Sequence, residues 1–330
     1  MGWTRRPFDL QAHRGGLALT VENTLAAFGR ALDLGVSTLE LDVQLTQDDH
    51  AIVAHDLDLT VRTCTDTVPA FPGDPEWPYV PNVRYIADLT LAQLRTLDCG
   101  STTHPGFPGQ QASPGAQLPL LTDVFELVRE RGADEVGVNV ELKIDPRSPA
   151  ASAPTERMVD VVTRDIRTCG MLGRVSIESF DWGALMLVQE LQPGVPVIAL
   201  SSGPPTLEPG LPGSSPWLGG IDVDDFGGDL VAAAHSFGAH AISPVHGFPA
   251  DGGIDVPGYE PYTTAAMVVA AHDAGMQVIP WTVDDPATMQ HLVDIGVDGI
   301  ITNRPDLLRS VLARNGLPLP RAYPALPSPG

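Results

Sequence analysis

Residues 38–56 read TLELDVQLTQDDHAIVAHD, two short apolar runs separated by a polar turn. The runs at 38–43 and 51–55 have the length of buried strands. The turn between them, residues 46–49, is too short for the crossover that two parallel strands require. We therefore expect an antiparallel hairpin, in which 51–55 is an arm on strand 38–43.

Outside this hairpin, short apolar runs alternate with helical patterns. The other predicted strands are residues 9–12, 137–142, 174–179, 196–200, 239–243, 277–283 and 299–302. The predicted helices are residues 24–34, 121–131, 155–169, 182–191, 229–237, 263–274, 286–295 and 305–313. Strands that are each followed by a helix predict an α/β fold, a TIM (β/α)8 barrel with an inserted segment after the hairpin of its second strand.

The barrel is predicted to occupy residues 1–314 as one domain with a single hydrophobic core. Residues 57–117 interrupt the alternation and are rich in Pro and Gly, so we interpret them as an insertion that caps the barrel mouth. The Pro-rich tail, residues 315–330, is expected to be extended or mobile.

Composition excludes several kinds of partner. The formal net charge of -22 disfavours binding to nucleic acid or anionic membranes, whereas divalent cations suit excess carboxylate. No apolar run is long enough to cross a membrane, and the first residues lack the apolar core of a signal peptide. A cytoplasmic location is predicted, although a secreted protein whose leader was removed also fits. The oligomeric state is left open.

The three cysteines are widely spaced and form no CxxC pair. Their number is also odd, since the chain has only Cys64, Cys99 and Cys169. This pattern argues against a disulfide framework or a zinc site and favours a reducing compartment.

Acidic side chains stand at the carboxyl ends of two predicted strands, where TIM barrels carry their catalytic groups. Glu40 and Asp42 are two apart and project from one face of their strand, and Glu141 ends another strand. Three converging carboxylates would repel one another unless a cation neutralised them. Oxygen ligands suit a hard ion, so the sequence predicts one divalent cation, Mg²⁺ or Ca²⁺.

Basic residues stand at the same strand ends. His13 and His55 each follow an apolar run, which fits a buried structural histidine as well as a general acid or base. Arg14 offers a bidentate fork for a phosphate, and a surface salt bridge fits it too. Lys143 is the only lysine of the chain, which indicates a position that needs a compact ammonium group.

Seven short motifs follow one another in an order that resembles the glycerophosphodiester phosphodiesterases. They are AHRGG at 12–16, ENT at 22–24, ELDV at 40–43, VAHD at 53–56, ELK at 141–143, PWTVDD at 280–285 and GVDGIITNRP at 296–305. Each motif alone is weakly specific, but the ordered set spans nearly the whole chain. A proline is usual before ENT in that family, and this chain has Val21 there.

The resemblance implies a phosphoric diester hydrolase of glycerol and lipid metabolism, acting on a small glycerophosphodiester to give glycerol 3-phosphate and an alcohol. It assigns acid–base catalysis to His13 and His55, and it assigns the metal to Glu40, Asp42 and Glu141. Substrate binding falls to Arg14, Lys143 and Trp281, of which Trp281 packs against glycerol. Asp56 is expected to form a turn, and Asn23 or Thr24 to cap a helix.

Several points stay open from the sequence. Either histidine fits the acid or the base, and the attacking group is water or the glycerol 2-hydroxyl. A lysophospholipase D acting on lysophospholipids and a non-catalytic phosphoester-binding barrel are the alternative functions. The alcohol that leaves is not indicated.

Overall fold

The structure, a computed structural model, describes residues 7–325. Its strands are β1 (Asp9–Ala12), β2 (Thr38–Leu45), β3 (Ala51–Val53), β4 (Thr65–Asp66), β5 (Leu97–Asp98), β6 (Gly137–Leu142), β7 (Val175–Ser179), β8 (Val197–Ser201), β9 (Ala241–Pro244), β10 (Gly247–Phe248), β11 (Glu260–Pro261), β12 (Gln277–Val278) and β13 (Gly299–Thr302). Its α-helices are α1 (Leu25–Leu34), α2 (Leu91–Leu94), α3 (Leu121–Glu130), α4 (Thr155–Thr168), α5 (Trp182–Leu191), α6 (Pro204–Leu207), α7 (Leu230–Ser236), α8 (Ala265–Asp273), α9 (Pro286–Ile295) and α10 (Pro305–Arg314).

Eight parallel strands form a nearly closed barrel in the order β12-β9-β8-β7-β6-β2-β1-β13. The seam between β12 and β13 is joined by backbone hydrogen bonds, including Asp298 N to Val278 O at 3.0 Å and Ile301 N to Pro280 O at 3.0 Å. β3 pairs antiparallel with β2. The predicted barrel and its hairpin arm are therefore confirmed.

Alternation along β2 places apolar and polar residues on opposite faces of the strand. On β2, Leu39 and Leu41 are fully buried in the main hydrophobic cluster, which also contains Phe28 of α1 and Phe125 of α3. Glu40 between them and Asp42 after them are buried and polar. Since neighbours on a strand face opposite sides, the cluster lies under the helices and the acidic side chains point into the barrel.

The segment after β3 has a hydrophobic cluster of its own, so the expectation of a single core is wrong. Leu59, Ile86 and Leu94 pack there with Ile52 and other buried residues. The short antiparallel pair β4–β5 closes this segment. Its short elements carry too little periodicity for the sequence pattern to reveal the cluster.

The expectation of no disulfide is also wrong, because Cys64 and Cys99 are bonded to each other. Thr65 pairs with Asp98 in the β4–β5 ladder. That pairing places the two cysteines at adjoining positions although 35 residues separate them in sequence. Cys169 is a free thiol.

The tail contacts the rest of the chain at Pro320 and Tyr323. Tyr323 is buried, and its backbone N donates to Leu32 O at 2.8 Å. Arg309 donates to Pro320 O at 2.9 Å. Residues 315–325 form no helix or strand, and most of them are exposed; residues 326–330 of the predicted tail lie outside the described range, as do 1–6. Between residues 7 and 325, no helix is long and apolar enough to span a bilayer.

Candidate active site

The loop after β1 turns sharply because three consecutive residues adopt left-handed backbone conformations. Arg14 has a φ of 52°, Gly15 of 82° and Gly16 of 88°. A Cβ on Gly15 would lie 2.9 Å from backbone atoms of Ala27 and Phe28, so only glycine fits there. The turn directs the Arg14 backbone N–H to Glu40 Oε2 at 2.8 Å. Strain at a non-glycine residue is typical of a functional site.

Four buried carboxyl groups meet inside the barrel. Glu40 and Asp42 lie on β2, Glu141 on β6 and Glu178 on β7, and the strand register sets Asp42 beside Glu141 and Glu141 beside Glu178. Oxygen atoms of Glu40, Glu141 and Glu178 lie within 4.8 Å of one another. The sequence analysis missed Glu178, although a lone glutamate within the apolar strand VSIES was a usable signal.

Asp42 is held differently from the other three carboxylates. Its Oδ2 accepts a hydrogen bond from Asn23 Nδ2 at 3.0 Å and lies 3.3 Å from Arg14 Nε. Its Oδ1 lies 3.7 Å from Lys143 Nζ. Thr24 caps α1 by accepting from Ala27 N, so the capping expectation holds for Thr24, whereas Asn23 positions Asp42.

Arg14 and Lys143, the two cations of the site, each form ion pairs with two carboxylates. Lys143 Nζ lies 2.8 Å from Glu141 Oε1, and Arg14 Nη1 lies 3.1 Å from Glu22 Oε1. Burial lowers the pKa of Lys143, but Glu141 and Asp42 outweigh it and hold the pKa above its usual value. Burial likewise raises the pKa of Asp42, but Arg14 and other cations outweigh it and bring the pKa well below its usual range.

The other two carboxyl groups of the cluster, Glu40 and Glu178, form no ion pair with Arg14 or Lys143. Burial, followed by repulsion from Asp42, raises the pKa of Glu40 well above its usual value. Burial and the neighbouring Glu141 do the same to the pKa of Glu178. Glu40 Oε1, Asp42 Oδ1 and Glu178 Oε2 are buried without a hydrogen-bond partner. Unpartnered buried carboxylate oxygens of this kind fit a hard divalent cation.

His13 is fixed by a chain of hydrogen bonds. Its Nδ1 lies 2.6 Å from Asn303 Oδ1, and Asn303 Nδ2 donates to Asp284 Oδ2 at 2.7 Å. Because a carboxylate only accepts, the Asn303 amide presents its oxygen to the ring, and Nδ1 carries the hydrogen. His13 Nε2 is left as an acceptor, 4.0 Å from Glu40 Oε2. Burial, and then Arg14, lower the pKa of His13 to about 3.

His55 lies just beyond β3 with a carboxylate beside it. Its Nδ1 lies 2.8 Å from Asp56 Oδ1. The side-chain hydrogen bond from His55 lowers the pKa of Asp56. The expectation that Asp56 only forms a turn is therefore wrong, since the strand ends at Val53 and the backbone bends. The hydrogen bond on Nδ1 fixes the orientation of the His55 ring.

Trp281 belongs to an aromatic group beyond the strand ends. Its ring packs edge-on against Phe180, which follows β7, with centroids 5.5 Å apart. Phe180 also packs against Trp217 at 6.2 Å. Trp281 Nε1 donates to Ser243 O at 2.9 Å, which fixes the ring.

A sequence profile of the glycerophosphoryl diester phosphodiesterase family matches residues 13–307. The chain belongs to this family. It is 28% identical over 305 residues to a glycerophosphodiester phosphodiesterase of Caldanaerobacter subterraneus subsp. tengcongensis, covering 92% of this chain and 98% of the relative.

Solved structures of the glycerophosphoryl diester phosphodiesterase family share the fold. A crystal structure of a putative member from Silicibacter pomeroyi superposes with a TM-score of 0.75 at 29% identity, covering 96% of both chains. A phosphodiesterase of Oleispira antarctica, in complex with the product sn-glycerol-3-phosphate, has a TM-score of 0.64 at 18% identity. That superposition covers 93% of this chain and 97% of the other.

Proposed function

We propose that this protein hydrolyses glycerophosphodiesters to glycerol 3-phosphate and an alcohol, with a divalent cation bound at the carboxylate cluster. The observation that carries the proposal is a pair of histidines with different Nδ1 partners beside one anionic cluster: His13, whose Nδ1 faces the Asn303 amide oxygen, and His55, whose Nδ1 faces the Asp56 carboxylate. Membership of the family supports the substrate class, as does the glycerol 3-phosphate bound to the Oleispira structure.

Two cations of the chain would receive the phosphate. Arg14 is anchored by Glu22 and Asp42, and Lys143 by Glu141 and Asp42. Because both side chains are held before substrate arrives, little conformational entropy is lost on binding. Trp281, fixed by its indole hydrogen bond, is assigned to packing against glycerol.

Residues Glu40, Glu141 and Glu178 would hold the cation, with Asp42 beside them. Glu178 extends the set of Glu40, Asp42 and Glu141 that the sequence indicated. When bound, the cation neutralises the cluster and stabilises the charge that develops on the phosphate. Both Mg²⁺ and Ca²⁺ accept an all-carboxylate set.

The two histidines then take opposite roles. His13 Nε2 accepts the proton of the attacking water or glycerol 2-hydroxyl, whose oxygen forms the new bond to phosphorus; a cyclic phosphate formed by the 2-hydroxyl takes up water to give glycerol 3-phosphate. The bond from phosphorus to the alcohol oxygen breaks, and His55 gives its proton to that oxygen. Asn303 keeps the hydrogen on Nδ1 of His13, and Asp56 orients the His55 ring through its contact with Nδ1.

The Cys64–Cys99 disulfide is informative about the cellular compartment of the protein. Disulfides persist mainly in oxidising compartments, so the Cys64–Cys99 bond favours such a compartment over the cytoplasmic location predicted from the sequence.

The proposal is tested by ³¹P NMR of glycerophosphocholine incubated with the protein in Mg²⁺, in Ca²⁺ and in EDTA. We expect glycerol 3-phosphate as the end product with a cation and no reaction in EDTA. A transient cyclic glycerophosphate would identify the 2-hydroxyl as the attacking group. Phosphocholine as the product, or an intact diester in every sample, would contradict the proposal.

A further inference from the structure

A cavity of about 400 Å³ lies beside the catalytic residues, between the barrel mouth and the segment that follows β3. Arg14, His55 and Asp56 form its inner end. Glu141, Lys143 and Trp281 are not among the described residues that line it. Among the described residues that line the cavity, Arg14 is thus the only one assigned to the phosphate, and the cavity lies on the His55 side of the site, away from Lys143 and Trp281.

Its position identifies which part of a substrate it can hold. This step rests on the proposed function, in which His55 protonates the oxygen of the leaving alcohol. The group attached to that oxygen must extend into the space next to His55. The cavity is that space, so it is placed to receive the leaving alcohol rather than the glycerol.

The walls of the cavity are mainly apolar. Leu17 and Val21, from the loop after β1, line it together with Leu59, Ile86 and Leu118, and all five are buried.

The polar groups at the inner end already have partners. Arg14 is paired with Glu22, and His55 with Asp56. An alcohol that enters therefore meets hydrocarbon walls along most of its length.

The described part of the lining offers no unpaired charge of one sign to the alcohol. Asp58 and Arg62 carry opposite charges, and Glu22 and Asp56 are already paired with Arg14 and His55. No Phe, Tyr or Trp lines the cavity among residues 7–325, so it lacks the aromatic faces that bind quaternary ammonium groups. Its volume falls in the range of pockets for drug-sized ligands, and ethanolamine or choline would leave much of it unfilled.

We propose that the preferred substrates are glycerophosphodiesters of an uncharged, mainly apolar alcohol larger than choline, whose hydrocarbon part fills this cavity. Each methylene buried there contributes to binding in the transition state as well as in the ground state. The expected gain in kcat/KM is about two- to fourfold per methylene until the cavity is full.

The experiment uses sn-glycero-3-phosphoalkanols from ethanol to octanol, with release of glycerol 3-phosphate as the readout. The slope of log kcat/KM against chain length is measured for the wild-type protein, for Thr102→Trp and for Thr103→Trp. Thr102 lines the cavity, whereas its neighbour Thr103 is exposed and does not line it. The two variants carry the same added ring at adjacent positions.

We expect log kcat/KM to increase with chain length in the wild-type protein and in Thr103→Trp, and to stay constant in Thr102→Trp. A flat wild-type slope with steady release of glycerol 3-phosphate would overturn the alcohol subsite and leave the proposed function standing. Equal slopes in both variants would overturn it as well. If no member of the series releases glycerol 3-phosphate, the proposed function fails and this inference fails with it.

Discussion

The substitution Asp284→Asn tests how the structure holds His13. Asp284 Oδ2 accepts from Asn303 Nδ2 at 2.7 Å, and its Oδ1 accepts from Asn303 N at 2.9 Å and from Thr302 Oγ1 at 3.1 Å. An asparagine at this position keeps one accepting oxygen for the backbone and hydroxyl donors. Its amide nitrogen then faces Asn303 Nδ2, and two donors meet.

The conflict is relieved if the Asn303 amide rotates. His13 Nδ1 would then face a donor, and the ring hydrogen would move to Nε2, where the base is needed. General acid–base catalysis contributes about 10²–10⁴-fold, so we expect kcat to fall on the order of 10²–10³-fold. One hydrogen bond to a charged group is lost, about 1.5–3 kcal/mol. With an unfolding entropy of roughly 2.1 cal/mol/K per residue, Tm should fall by about 2–4 °C.

The assay is kcat for release of glycerol 3-phosphate at saturating substrate, together with Tm by calorimetry. Asp285→Asn is the matched control, because Asp285 caps α9 by accepting from Thr288 N at 2.7 Å and does not contact His13. It should lower Tm slightly and leave kcat within about threefold, since asparagine also caps helices. Unchanged kcat in Asp284→Asn, or an equal loss in both variants, would refute the reasoning.

Three further predictions concern stability. In differential scanning fluorimetry, a cation at 100 times its Kd should raise the Tm of the wild-type protein by about 4 °C. Glu178→Gln should bind the cation about tenfold more weakly, so the same cation concentration should raise its Tm by only about 2 °C. An equal rise in both proteins would exclude Glu178 as a ligand. The double variant Cys64→Ser, Cys99→Ser should lose about 4 kcal/mol of unfolding free energy in urea titrations, the value expected for a loop of 35 residues; a thiol count of one per denatured wild-type chain checks the bond. Burial lowers the pKa of His246. The unfolded chain therefore binds more protons than the folded one, and the free energy of unfolding should fall as pH drops below about 6.5. In His246→Gln the urea midpoint should fall less steeply with pH, and the same pH dependence in both proteins would contradict this.

The barrel was predictable because its signal is local and repeated. Each strand is a short apolar run and most helices begin at a capping residue such as Thr24 or Asp285, so neighbouring residues alone indicate the elements. The short turn after β2 identified the antiparallel arm for a similar reason.

Features that depend on pairing across the chain escaped the sequence. Glu178 joins the carboxylate cluster only through the register of β6 and β7. Cys64 meets Cys99 only through the β4–β5 ladder. Spacing in sequence carries neither register. The glutamate of VSIES stands out as a polar residue in an apolar strand, but the sequence alone does not show which carboxylates it joins.

The most direct test of the account compares kcat for release of glycerol 3-phosphate from glycerophosphocholine in the wild-type protein, His13→Ala, His55→Ala and His272→Ala. His272 is an exposed histidine paired with Asp298, away from the site. The account predicts a loss of about 10²–10⁴-fold for each of the first two variants and wild-type activity for the third. Cation-dependent turnover that survives removal of His13 or His55 would contradict it.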